Sequence, residues 1–399
     1  MRFLFYSHDG LGLGHTRRHF AVAAALASRM SEATILLATG AEEFLRYGLP
    51  RQVEILKLPG LRKDANGKYS SRRLPAPASE IRSLRSELLR TAVKHFRPDV
   101  VLVDKHPFGA GGEFKAGLKE LRKAGGYSVL GLRDILDEPT QVLREWQPFR
   151  MQKKITEFYD QVIIYGDRTI FDAVTAYKFP PALADKTCYV GYVFNPEHEL
   201  ALENFYRPFP PRDQRDRPVV LAATGGGEDG LRTIENFIRA AAGAPWLACV
   251  VFGPMFPEVQ LPAVQRLAAE NGVRYRNYVP HLSALFREVD ALVCMGGYNT
   301  LVEAAAIGLP TVCIPRIEPR AEQLIRAKAF DKLGLLQVIH PNELDPESLR
   351  DKITLGLKVK TEELREHSRA VLRFDGASRA ADLLISLATS RAPRKPVET

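Results

Sequence analysis

The sequence predicts an α/β protein made of two doubly wound, Rossmann-like parallel sheets. Three observations carry this. Short apolar runs alternate with stretches of helical spacing along the whole 399-residue chain. A glycine-rich loop follows the first apolar run of each half: His8 to His15 (HDGLGLGH) and Gly225 to Gly227. Between the halves, Asn195 to Arg217 interrupts the alternation with Pro196, Pro208, Pro210 and Pro211 among mixed charges. The expected organisation is a first domain at 1–195, a linker at 196–217, a second domain at 218–370 and a helical tail at 371–399.

In the first half, Phe3 to Ser7 reads as a buried strand, Thr16 to Arg29 as a helix, and Thr34 to Ala38 and 54–59 as strands. Gly60 to Ala78 is polar, basic and proline-containing, and reads as a long mobile loop. Ser79 to Phe96 is an amphipathic helix with Ile81, Leu84, Leu88, Leu89 and Val93 on one face and Arg82, Arg85, Arg90 and Lys94 elsewhere. Val100 to Val103 is a strand running into Asp104, and Tyr127 to Leu132 a strand running into Arg133 and Asp134. Ligands of α/β sheets gather at such strand ends, which makes Asp104 and Asp134 candidates. Both read equally well as loop anchors. Gln161 to Tyr165 and Cys188 to Val193 complete the half. In the second half, strands are expected at Val219 to Ala223, Trp246 to Phe252, Val273 to Val279, Ala291 to Cys294, Thr311 to Ile314 and Leu336 to Ile339. Asp345 to Arg391 is helical almost without a break.

Composition narrows the class. The length allows two cores, and 45% hydrophobic with 26% charged residues is ordinary for a soluble globular protein. Cys188, Cys249, Cys294 and Cys313 are scattered through apolar runs, with neither a disulfide framework nor a CxxC zinc pattern. They read as reduced core residues of a cytoplasmic protein. Met1 to Ser7 leads straight into a loop with no signal-peptide pattern, and no apolar run nears the ~20 residues that span a bilayer. The net charge is +9, and much of it is local: between Arg62 and Arg97 ten Lys or Arg face only Asp64, Glu80 and Glu87. Nucleic acid, an anionic membrane or an acidic acceptor would each answer that charge. Tyr69 and Phe96 are the only aromatic residues there, too few for base stacking, so no nucleic acid is expected.

Asp290 to Gln323 is the most informative stretch: DALVCMGGYNTLVEAAAIGLPTVCIPRIEPRAEQ. It reads as strand, glycine loop, helix and strand. Thr300 and Glu303 fit the S/T-x-x-E start of a helix that ends at Gly308 and Pro310. Free N–H groups at that helix start, with no side chain on Gly296 or Gly297, favour an anion such as a diphosphate. Close strand–helix packing alone would also ask for these glycines.

The order GGYNTLVEAAAIGLPTVCIP, followed by Glu322 and Gln323, resembles the nucleotide-sugar half of GT-B glycosyltransferases. The MurG-like branch, with its glycosyltransferase family 28-type C-terminal domain, is the nearest in pattern. The resemblance implies two domains facing a cleft and inverting transfer of a sugar from a nucleoside-diphosphate sugar to an acceptor hydroxyl. By position, Gly296, Gly297, Asn299 and Thr300 would hold the diphosphate, with Gly225, Gly226 and Gly227 as a second loop. Glu303 would take the ribose hydroxyls, and Glu322 with Gln323 the sugar hydroxyls. Backbone at Tyr278 and Val279 would hold the base, and His281 reads as a helix cap. Many relatives carry a His where this chain has Met295, so backbone groups, Arg316 and Arg320 are left to supply the charge. Gly12, Gly14 and His15 resemble the GTGGH loop of the MurG branch, on the acceptor side. His15 with Asp104 resembles the His–Asp dyad of some members, a neutral His accepting the hydroxyl proton. Asp134 is the substitute.

No D-x-D motif is present, so no metal and no cofactor are expected, a UDP-sugar being the substrate. The acceptor is expected to be lipid-linked, with residues 62–97 docking on an anionic membrane at its cytoplasmic face. The tail is expected to cross back onto the first domain. A UDP-sugar 2-epimerase of the same fold is the rival, but its pattern of cleft acids is not found. A dehydrogenase is disfavoured, because GLGLG lacks the GxGxxG spacing.

Overall fold

The computed structural model describes residues 1–7, 14–41, 49–63, 69–194, 209–279 and 282–390. Gly12, Lys68, His281 and most of the expected linker lie outside them, as do the side chains of His15, Arg62, Lys63 and Tyr69. Two compact units make up the chain: Met1–Asp134, Pro139–Val193 and Asp375–Thr399 form the first, Ile135–Glu138 and Phe194–Phe374 the second.

The first unit runs β1 (Arg2–Ser7), α1 (Gly14–Arg29), β2 (Thr34–Thr39), β3 (Val53–Lys57), β4 (Leu61–Lys63), β5 (Tyr69–Ser71) and α2 (Ala78–Phe96). It continues with β6 (Val100–Asp104), α3 (Lys115–Lys123), β7 (Tyr127–Arg133), α4 (Pro139–Trp146) and α5 (Met151–Phe158). β8 (Gln161–Tyr165), α6 (Ala173–Ala176), α7 (Pro181–Ala184) and β9 (Thr187–Tyr189) follow. Seven parallel strands stand in the order β3-β2-β1-β6-β7-β8-β9. β1 and β6 are apolar on both faces because helices cover both, and their registers run Phe5 to Leu102 and Ser7 to Asp104.

Two departures from the sequence reading sit around α2. The expected loop contains the antiparallel hairpin β4–β5, in which Leu61 is fully buried against Ile81. And Arg85, expected on the polar face, lies in the buried stripe Ile81, Arg85, Leu89, Val93, while Leu84 is 46% exposed. The spacing of four decides this, since such residues stack along one helix face. Glu113 meets the Arg85 guanidinium at 2.7 and 3.0 Å, and the Pro59 carbonyl accepts a third bond at 2.6 Å.

The second unit runs β10 (Val219–Ala223), α8 (Leu231–Ala241), β11 (Leu247–Val251), α9 (Leu261–Glu270), β12 (Arg274–Arg276) and β13 (Ala291–Cys294). It goes on with α10 (Tyr298–Ile307), β14 (Thr311–Cys313), α11 (Glu322–Lys332), β15 (Gln337–Val338), α12 (Pro346–Gly356) and α13 (Thr361–Val371). Its strand order is β12-β11-β10-β13-β14-β15, all parallel. Phe237 stacks on Trp246 at 5.7 Å in its core. The end of the expected linker is tied down here, Arg212 and Arg215 both pairing with Asp290.

The last helix, α14 (Gly376–Thr389), belongs to the first unit and packs on α1, where Arg29 meets Asp382 at 2.9 Å. Its start demands glycine: a Cβ on Gly376 would lie 2.5 Å from the Gly191 carbonyl oxygen.

Candidate functional site

Doubly wound sheets bind ligands beyond the C-terminal ends of the strands where the winding reverses. In the second unit that point lies between β10 and β13, where Ala223 stands in register with Cys294. A glycine loop leaves each strand. In the first, Thr224 donates its hydroxyl to the Phe252 carbonyl at 2.7 Å, and Gly225 and Gly227 take φ of +65° and +92°. A Cβ on Gly227 would sit 2.4 Å from the Phe252 oxygen, whereas at Gly225 the space is open. In the second loop Gly296 takes φ +82° and Gly297 is the N-cap of α10, which no side chain caps. The first-turn N–H groups therefore lack intrahelical acceptors and carry the positive end of the helix dipole.

The capping box expected of Thr300 and Glu303 does not form. The turn at Gly296 starts the helix at Tyr298, so Thr300 is already the third helical residue and half-buried Glu303 the sixth, in the second turn.

Arg316 faces both loops. Its Nη1 donates to Asp229 at 3.1 Å, and its backbone N–H donates to Gln323 Oε1 at 3.2 Å. Its Nε is buried with no hydrogen-bond partner among the described residues. A buried guanidinium N–H without an acceptor is destabilising, and an anion removes that penalty. Gly225, Gly226, Gly227, Asp229, Met295, Gly297, Thr300, Arg316 and Gln323 line one pocket. Gly296 adjoins it between Met295 and Gly297. Asn299, Glu303, Tyr278, Val279 and Glu322 are not in its wall.

Glu322 needs a correction. Expected at the sugar hydroxyls, it is 3% exposed, and Arg326 holds its carboxylate at 2.7 Å. Arg326 is fully buried, donates to the Gly296 carbonyl at 3.2 Å and lies over the Tyr298 ring. The pair thus braces the second glycine loop from beneath. Its signal in the sequence was the i,i+4 spacing of Glu322 and Arg326. Asp229 carried no such signal. Arg320 turns to Asp137 at 3.0 Å, and Asp137 also accepts the Ala321 N–H at 2.8 Å.

Residues 253–384 match the model of the glycosyltransferase family 28 C-terminal domain. The UDP-N-acetylglucosamine--N-acetylmuramyl-(pentapeptide) pyrophosphoryl-undecaprenol N-acetylglucosamine transferase of Streptomyces coelicolor is 28% identical over 173 residues. That match covers 43% of this chain and 46% of the relative, under half its length. The enzyme of the same name from Shewanella frigidimarina is 23% identical over 348 residues, 84% of this chain and 83% of the relative. The crystal structure of Acinetobacter baumannii MurG superposes with a TM-score of 0.60 at 16% identity, covering 96% of this chain and 99% of the other. The fold is GT-B, and the chain is MurG-like. The family 28 match begins after the first glycine loop and spans the second loop with both Arg316 and Arg326.

In the first unit, β1 and β6 form the corresponding switch point. The sequence reading assigns Asp104 to His15. The structure gives its carboxylate to Arg18 at 2.9 Å, a pair whose side chains are 2% and 0% exposed. Asp104 therefore ties α1 to the end of β6 through Arg18, while the His15 side chain lies outside the described residues. Nothing in the sequence set Arg18 apart from Arg17. His19 is buried on Phe5, its Nε2 without a hydrogen-bond partner among the described residues. Burial pulls its pKa down to about 4, against the opposing pull of Asp104. Asp134 is buried beside Gly166, 2% exposed. Gly14 opens α1.

Proposed function

We propose that the chain transfers a sugar from a nucleoside-diphosphate sugar, a UDP-sugar, to an acceptor hydroxyl with inversion. One observation carries the reading: two glycine loops, an uncapped helix start and the unsatisfied Arg316 Nε converge on one pocket. Backbone N–H groups and a guanidinium fixed in advance stabilise charge as it develops on the leaving diphosphate. This chemistry calls for no resident cofactor. Asp229 and Gln323 hold Arg316 in place, and Glu322 with Arg326 hold the second loop. Gln323 is then the residue for the sugar hydroxyls. Glu303, in the second turn of α10, takes the ribose, and Tyr278 and Val279 take the base. On the acceptor side His15 removes the hydroxyl proton, with Asp134 as substitute.

The acceptor is proposed to be lipid-linked, because the curated relatives are named for a pyrophosphoryl-undecaprenol acceptor. Among the described residues no helix is long and apolar enough to cross a membrane. Docking on the cytoplasmic face of an anionic membrane is accordingly proposed as peripheral, through 62–97. Calorimetry of UDP binding tests the donor site. Arg316→Ala should weaken UDP by roughly 1.5–3 kcal/mol, the scale of hydrogen bonds to charged groups. Unchanged affinity in a folded variant would remove the diphosphate from this pocket.

A further inference from the structure

The opposite end of α10 has its own pocket, about 15 Å from the glycine loops at 1.5 Å per residue. It opens between the C-terminus of α10, the turn Leu282–Arg287 and α13. Arg212, Arg287, Arg365 and Arg369 line it over a floor that includes Phe286 and Ile307. Among the described residues its wall contains no Asp or Glu.

The surrounding charge does not balance. Asp290 is shared, Arg212 taking Oδ1 at 2.6 Å and Arg215 taking Oδ2 at 2.8 Å. Arg287, Arg365 and Arg369 have no hydrogen-bond or ion-pair partner among the described residues. Arg365 and Arg369, four apart on α13, repel each other on one face. Helix capping does not account for them. The C-terminus of α10 carries about half a charge, and the Gly308 and Leu309 N–H groups already close its Ala305 and Ala304 carbonyls at 3.1 and 2.9 Å. Backbone packing gathers the arginines: a Cβ on Gly308 would lie 2.5 Å from the Arg365 nitrogen.

We infer that this pocket binds a phosphate-bearing anion, a phosphate ester whose apolar part lies on Phe286 and Ile307. Planar guanidinium forks match phosphate oxygens in pairs, and an apolar floor excludes competing water. The site is separate from the glycine-loop pocket and has no part in the transfer proposed above. Its ligand is a soluble phosphate ester or the phosphate of a lipid headgroup.

The test uses the full chain carrying Arg316→Ala, which weakens the glycine-loop pocket, with and without Arg365→Gln and Arg369→Gln. Each form is titrated calorimetrically with inorganic pyrophosphate and pelleted with phosphatidylglycerol or phosphatidylcholine vesicles. Binding should fall at least tenfold in the doubly altered form at an unchanged circular dichroism spectrum. A fall with pyrophosphate alone identifies a soluble phosphate; a fall with phosphatidylglycerol vesicles identifies a lipid phosphate. Undiminished binding of both probes, or binding of neither before the arginines are altered, overturns the inference. Should the double variant not fold, exposed Arg287→Gln makes the same comparison.

Discussion

Arg85 and His19 show how the first unit treats buried polar groups. Arg85 stays charged inside because Glu113 meets two of its nitrogens and the Tyr6 hydroxyl donates to the same carboxylate. Burial, with Glu113 beside it, holds the Tyr6 hydroxyl well above its ordinary pKa, so it remains a donor. His19 takes the other course and gives up its charge, burial lowering its pKa from 6.5 to about 4. The sign of the pH dependence follows. Below pH 6.5 the unfolded chain takes up a proton that the folded chain refuses, so stability present above 6.5 is lost as pH falls towards 4. That loss reaches about 3 kcal/mol at 1.36 kcal/mol per unit. Urea unfolding at pH 7, 5.5 and 4.5 should show a shallower decline for His19→Leu than for the native chain. Parallel declines would mean that His19 titrates alike in the folded and unfolded chain, so that burial does not lower its pKa.

At the scale of elements, the two glycines of the first loop separate strain from collision. Both Gly225 and Gly227 hold positive φ, which disfavours an L side chain by roughly 1–2 kcal/mol. Only at Gly227 would the added Cβ also meet backbone, at 2.4 Å. Gly227→Ala should therefore lower the melting temperature clearly more than Gly225→Ala, each kcal/mol shifting it by roughly 2–4 °C. Equal shifts would show that the loop moves freely away from Phe252. Both glycine loops were legible in the sequence because each follows an apolar strand run at once. The β4–β5 hairpin was not, because strands of three residues leave no period to read. The start of α10 was misplaced because Thr300 and Glu303 match a capping box by spacing alone, while a glycine turn sets the first helical residue. Arg85 was misplaced because its type outweighed its spacing.

At the scale of the whole molecule, charge is less concentrated than the sequence suggested. Of the ten basic residues between Arg62 and Arg97, Arg85 is internal and Arg90 pairs with Glu87 at 2.7 Å. A second basic group, around Arg365 and Arg369, was invisible because its members are dispersed over the sequence from Arg212 to Arg369. The same strand order rises on either side of the first strand in both sheets, and the glycine-loop pocket that holds Arg316 lies in the second unit. The proposed labour therefore divides between units: donor binding at Arg316, proton removal at His15. That division predicts opposite signatures for two variants of the full chain. His15→Ala should slow UDP release from the UDP-sugar by at least ~100-fold, the range of a general base, while UDP affinity by calorimetry stays within about twofold, since nothing in the Arg316 pocket is altered. Arg316→Ala should show the loss in affinity as well as in rate. A His15→Ala chain that loses rate and UDP affinity together would place His15 on the donor and leave Asp134 as the base to be tested by the same pair of measurements.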